Sequence, residues 1–184
     1  MSTIKTLKDV RQINKHKILQ EVYFHGPLSR LEICNKTGLS PATVGNLMVN
    51  LLEDKIVKET GFEESSGGRR RVILETNATY GYFIGIDIGR TYIQMEIFDF
   101  HMSLINSQKH ILDEESLTSE SVIDIIKVES DILVESVGKD RLLGVGIALP
   151  GLVSSEPEAT VWAPISSWLQ DSIKPRLEGI FNVP

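Results

Sequence analysis

The chain has 184 residues, 41% hydrophobic and 24% charged, with a formal net charge of −6. This suits one or two globular domains with a real core and excludes a fibrous or disordered chain. A single cysteine, Cys34, rules out an intramolecular disulfide, and no apolar run approaches the ~18 residues of a membrane span. The start, MSTIKTLKDVRQINKHK, has no apolar segment of the secretory kind, so a cytoplasmic protein with no membrane partner is expected. Charge is uneven: residues 1–76 hold 12 Lys and Arg against 9 Asp and Glu, and residues 77–184 hold 7 against 16. A mildly basic head on an acidic body fits a head that meets a polyanion and a body that does not.

Residues from about Leu7 to Phe24 read as a leading helix with Ile13, Ile18, Leu19 and Val22 inward. His16 and His25 have no cluster of metal ligands around them and read as surface or cap residues. The stretch Gly26–Arg71 then organises the chain. Ser29 is placed to cap a helix carrying Leu31, Ile33 and Cys34, with Cys34 a small core residue, and Gly38 suits its C-terminal cap. Ser40 caps a second helix with Pro41 at the first helical position, where a missing N–H costs nothing. Val44, Leu47, Met48, Leu51 and Leu52 recur on one face of it, while Pro41, Ala42, Thr43, Gly45 and Asn46 are small or hydrogen-bonding. Two helices joined by a short turn containing glycine form a helix-turn-helix.

Taken alone, that pair is equally a plain helical hairpin. The ribbon after it favours nucleic acid: Ile56–Thr60 and Arg71–Glu75 read as strands, and Gly67-Gly68-Arg69-Arg70-Arg71 places three guanidinium groups at the tip. The reading is a winged helix-turn-helix that binds double-stranded DNA, with Arg30, Ser40, Pro41, Thr43, Asn46, Arg69, Arg70 and Arg71 as the contacting residues.

Asn77-Ala78-Thr79 reads as a linker, dividing the chain into residues 1–78 and 79–184. Beyond it, Tyr82–Asp87, Thr91–Phe100 and Leu104–Leu112 are expected strands. A helix over residues 118–137 follows, capped by Thr118 and with Val122, Ile125, Ile126, Ile132 and Leu133 inward. A buried strand Leu142–Leu149 and a last helix from Trp168 to Phe181 complete an α/β unit. Asp87-Ile88-Gly89-Arg90-Thr91 lies at the turn between two strands, where Gly89 lets the backbone approach a ligand; a simple hairpin turn is the plainer alternative.

The ordered blocks SRLEICNKTGLSPATVGNLMVNLLEDKIVKE, GGRRRVILETN, GIDIGRTYIQMEIFDF and GVGIALPGLV, followed by VWAP and Trp168, resemble the ROK family (repressors, open reading frames and sugar kinases) over essentially the whole chain. The resemblance implies a winged-helix repressor of carbohydrate-utilisation genes, such as those for xylose. Its second domain has an actin-like, ribonuclease-H-like sugar-kinase fold that senses a sugar, and it pairs as a homodimer or tetramer on operator DNA. Asp87, Gly89 and Thr91 then correspond to a phosphate-loop remnant, with Arg90 and Tyr92 standing at the second glycine and the lysine of the kinases' loop, which argues against ATP binding. Gly151 is the candidate backbone contact to a sugar, and Ile165 stands where the family carries a sugar-contacting asparagine. The family's catalytic base, its sugar-binding glutamate and histidine, and its cysteine zinc site have no counterparts up to Pro184. The expectation is thus a DNA-binding domain joined to an incomplete first lobe, with no cofactor, catalytic residue or metal in this chain, binding DNA weakly and not responding to sugars. The rival reading is a ROK-type sugar kinase with a vestigial DNA-binding head, and a third is a dimerisation remnant.

Overall fold

A computed structural model describes residues 6–62, 70–113, 118–135, 137–153, 161–162, 174–181 and 183. The chain divides into two compact units, Met1–Tyr80 and Gly81–Pro184, each with its own hydrophobic core.

In the first unit, helix α1 (Leu7–His25) starts at a capping box: Thr6 and Asp9 satisfy each other's backbone N–H. Ile18 and Val22 are buried and Leu19 is partly buried. Ile13, expected inward, is instead 45% exposed. The buried stripe runs through Ile18 and Val22, and Ile13 lies roughly 140° around the helix from Ile18 at about 100° per residue. Strand β1 (Leu28–Ser29) leads into α2 (Arg30–Thr37), where Ser29 and Glu32 form a second capping box. Gly38 ends α2 at φ 71°, a left-handed conformation that a side chain would resist. Helix α3 (Pro41–Glu53) begins at the Ser40 cap and buries Val44, Leu47, Met48 and Leu51.

Strands β2 (Val57–Phe62) and β3 (Val72–Thr76) pair antiparallel with an irregularity at Glu59–Gly61, and β1 adds to the other edge of β3. The strands lie one or two residues downstream of the expected bounds. Leu28, Val57 and Leu74 from this small sheet join the same core as the three helices. Asn77 closes the unit, its backbone N–H donating to the Ile56 carbonyl at 2.8 Å and its side chain to the Lys55 carbonyl at 3.0 Å.

The second unit is built on a four-stranded sheet of order β6-β5-β4-β7. Strands β4 (Tyr82–Ile88), β5 (Tyr92–Asp99) and β6 (Leu104–Ile111) form an antiparallel meander, and β7 (Leu142–Ala148) runs parallel to β4. The alternation of side chains puts Tyr82, Ile84, Ile86, Ile88, Ile93, Met95 and Ile97 on one buried face. Helix α4 (Ser119–Glu135) covers that face with Val122, Ile123, Ile126, Leu133 and Val134. Ile132, expected inward, is 54% exposed: at about 100° per residue it lies off the Val122–Ile126–Leu133 stripe, and Ile123 and Val134 flank that stripe instead. A short hairpin of β8 (Leu152–Val153) and β9 (Val161–Trp162) follows, and α5 (Lys174–Phe181) adds Leu177 to the core. The expected helical start at Trp168 lies outside the described residues.

Candidate functional site

Two places gather the residues singled out from sequence. In the first unit, the capping that starts α3 also orders its surface. The Ser40 hydroxyl accepts the Thr43 backbone N–H at 3.2 Å and lies 2.9 Å from the Thr43 hydroxyl. The core behind α3 forces Pro41, Ala42, Asn46 and Val49 outward, with Thr43, Gly45 and Asn50 half-buried beside them. A Cβ built on Gly45 would meet nothing within 4 Å, so no packing inside the chain calls for glycine there. From Pro41 to Leu52 the helix carries no charge at all. Its outer face is therefore short, neutral and rich in groups that both donate and accept hydrogen bonds.

The cations of this unit stand on other elements. Arg30, at the start of α2, faces Glu59 of β2 at 3.4 Å, with both side chains solvent-exposed. Arg70 and Arg71 are exposed just before β3, and Arg69 lies outside the described residues. The Ser29 backbone and hydroxyl hydrogen bonds hold the Glu32 carboxyl below its usual range, and the Arg71 charge lowers it further. The leading helix was expected, but not its part in this surface: Arg11 and Asn14 of α1 share a groove with Thr43 and Asn46. The local signal was the spacing of Lys8, Arg11 and Lys15, three and four residues apart, which puts three cations along one side of the helix.

In the second unit, Asp87, Gly89 and Thr91 lie along the end of β4 and the β4–β5 turn, and the turn is filled by its own chain. The Gly89 N–H donates to the Tyr92 carbonyl at 2.8 Å. The Tyr92 ring covers Gly89 so closely that a Cβ there would lie 2.6 Å from it. The Tyr92 hydroxyl donates to the Asp87 carboxylate at 2.8 Å, which pushes the phenol above its usual range. Lys109 sits over the Tyr92 ring, 4.4 Å from the centroid. The glycine, its amide and the aspartate are thus all engaged before any ligand arrives. Gly151 is exposed, and its N–H donates to the Leu149 carbonyl at 2.9 Å; Ile165 lies outside the described residues. Among the described residues, no group of three His, Cys, Asp or Glu side chains could hold a metal ion, and no helix is long and apolar enough to cross a membrane.

Residues 83–184 match the ROK family, and the chain belongs to that family. It is 34% identical over 177 residues to a xylose repressor of Bacillus spizizenii, covering 95% of this chain and 45% of that protein. It is 26% identical over 149 residues to the DNA-binding transcriptional dual regulator NagC of Escherichia coli K12, covering 80% of this chain and 36% of that one. The crystal structure of a ROK family transcriptional regulator, a homologue of the E. coli MLC protein, superposes with a TM-score of 0.70 over 95% of this chain and 44% of the other. At 21% identity that likeness bears on the fold alone. The chain spans less than half the length of each of these proteins.

Proposed function

We propose that residues 1–78 form a winged helix-turn-helix that binds operator DNA, and that residues 79–184 are the first lobe of a sugar-sensing domain of the actin-like, sugar-kinase type. In this reading α3 is the recognition helix and the β2–β3 hairpin the wing. The whole protein represses carbohydrate-utilisation genes and is released by a sugar, in keeping with relatives named as xylose repressor and as NagC. The observation that carries the reading is the outer face of α3: exposed, uncharged and small, with an open glycine, on a helix whose other side is fully committed to core. A helix of that kind fits a major groove, where an amide such as Asn46 pairs with adenine through two hydrogen bonds. Ser40, Pro41 and Thr43 then meet the flanking backbone, while Arg30 and the arginines before β3 neutralise phosphates. The kinase reading has the filled β4–β5 turn against it, since a phosphate there would have to displace the Tyr92 ring and compete for the Gly89 amide.

Selection of bound duplexes from a random library tests the proposal. Wild-type protein should enrich a defined motif. Asn46→Ala should relax preference at one position per half-site, by about 1–3 kcal/mol of discrimination. No enriched motif, or an Asn46→Ala profile identical to wild type, would remove α3 from the groove.

A further inference from the structure

We infer that Arg11 of α1 is a phosphate-binding residue of the DNA interface, held beside α3 by Asn50. The inference rests on the DNA-binding reading above and adds to it a contact on an element outside the helix-turn-helix. Three observations support it. First, α3 is uncharged from Pro41 to Leu52, so the counter-charge for the phosphates lining a groove must come from its neighbours. Second, Arg11 shares a groove with Asn14, Thr43 and Asn46, on the polar side of α3. Third, the Arg11 Nη2 donates to the Asn50 Oδ1 at 2.7 Å.

That third contact sets Arg11 apart from Lys15, Arg30 and Lys36, while Lys17, like Arg11, is held by a neutral group, the Thr37 carbonyl. One turn further along α1, Lys15 pairs with Asp54 at 2.7 Å. Arg30 faces Glu59 at 3.4 Å, and Lys36 lies 4.0 Å from Glu21. Each of these meets a carboxylate. Arg11 meets a neutral amide and has no acidic partner among the described residues. One hydrogen bond thus restrains its position while its full charge stays available. The guanidinium keeps its remaining N–H donors for an oxyanion, and part of the side-chain ordering that binding usually costs is already made. Asn50 is the positioning residue, and the ligand is a backbone phosphate of duplex DNA.

The test is fluorescence anisotropy of the full 184-residue chain on a labelled 24-base-pair duplex of random sequence, from 50 to 200 mM salt. Removing one phosphate contact should make the slope of log K against log salt shallower by about 0.9. Arg11→Ala is expected to show that loss, so its affinity gap from wild type narrows about threefold across the range. Arg11→Lys, which keeps the charge, should keep the slope. Asn50→Ala should weaken binding yet also keep the slope, because the cation remains while its tether is gone. Arg11→Gln serves if the alanine variant no longer melts cooperatively. An unchanged slope in a folded Arg11 variant overturns the inference and leaves the DNA-binding reading intact. Wild type with no salt-dependent binding at all overturns that reading, and this inference with it.

Discussion

Gly45 on α3 and Gly89 at the β4–β5 turn are both glycines amid small, hydrogen-bonding residues, and the protein treats them oppositely. A Cβ added to Gly45 would meet nothing within 4 Å, and the neighbouring Asn46 faces solvent. Around Gly89 the chain has closed up: Tyr92 covers the glycine, accepts its N–H and ties down Asp87. A glycine inside a helix costs about 0.5–1 kcal/mol relative to alanine, so an open one carries a cost that its own fold does not recover. A glycine under a packed ring is needed by the fold. The first leaves a surface open to the partner proposed for it; the second belongs to a turn whose space is taken by the chain itself.

Alanine at each glycine should therefore act with opposite sign. The larger effect belongs to Gly89→Ala. Gly89 has no left-handed φ, and the nearest atoms a new methyl meets are those of the Tyr92 ring, at 2.6–2.9 Å. Forcing that ring aside should lower stability by roughly 1–3 kcal/mol, read from urea unfolding. In a Tyr92→Ala background most of that cost should vanish, the non-additivity expected of side chains in contact. Equal costs in both backgrounds would show that the ring is not what makes glycine necessary.

Gly45→Ala comes next, with a gain. The helix acquires a better former in open space, so stability should rise by about 0.5–1 kcal/mol and the thermal midpoint with it. A loss on this substitution would mean that the outer face of α3 is packed against something, and the contrast between the two glycines would fail.

How much of this was readable beforehand follows from how local each feature is. The start of α3 was legible because Ser40, Pro41 and the spacing of Val44, Leu47, Met48 and Leu51 act within a few residues of one another. The β4–β5 turn was half legible. Arg90 and Tyr92 stood out as departures from a phosphate loop, but that the ring folds back over Gly89 and its hydroxyl reaches Asp87 depends on how the hairpin closes. Ile13 and Ile132 misled because an apolar residue near a stripe looks like part of it until the stripe's angle is known. The Arg11–Asn50 bond joins residues 39 apart in sequence and needs the packing of α1 on α3 before it exists. The roles of the turn, of Gly151 and of the arginines before β3 in binding rest on proposals that the structure frames in chemical terms.

The smallest effect is a titration. Two tyrosines should ionise late, for different reasons. Tyr82 does so chiefly because burial disfavours the phenolate, and its hydroxyl has no hydrogen-bond partner among the described residues. Tyr92 is solvent-accessible and does so because its hydroxyl donates to Asp87, whose nearby charge adds to the effect. The sign follows from linkage: a phenol whose value is raised on folding stabilises the fold while protonated. Its contribution is complete below the ordinary value near 10 and fades as pH rises through the raised one. Asp87→Asn removes the carboxylate charge, so Tyr92 should move back toward its ordinary range while Tyr82 stays where it is. Absorbance at 295 nm across alkaline pH, with Tyr92→Phe subtracted to isolate the one ring, would resolve the two. If Tyr92 titrates identically with Asp87 and with Asn at that position, the ring is not locked to the aspartate, and the β4–β5 turn is more open than its contacts imply.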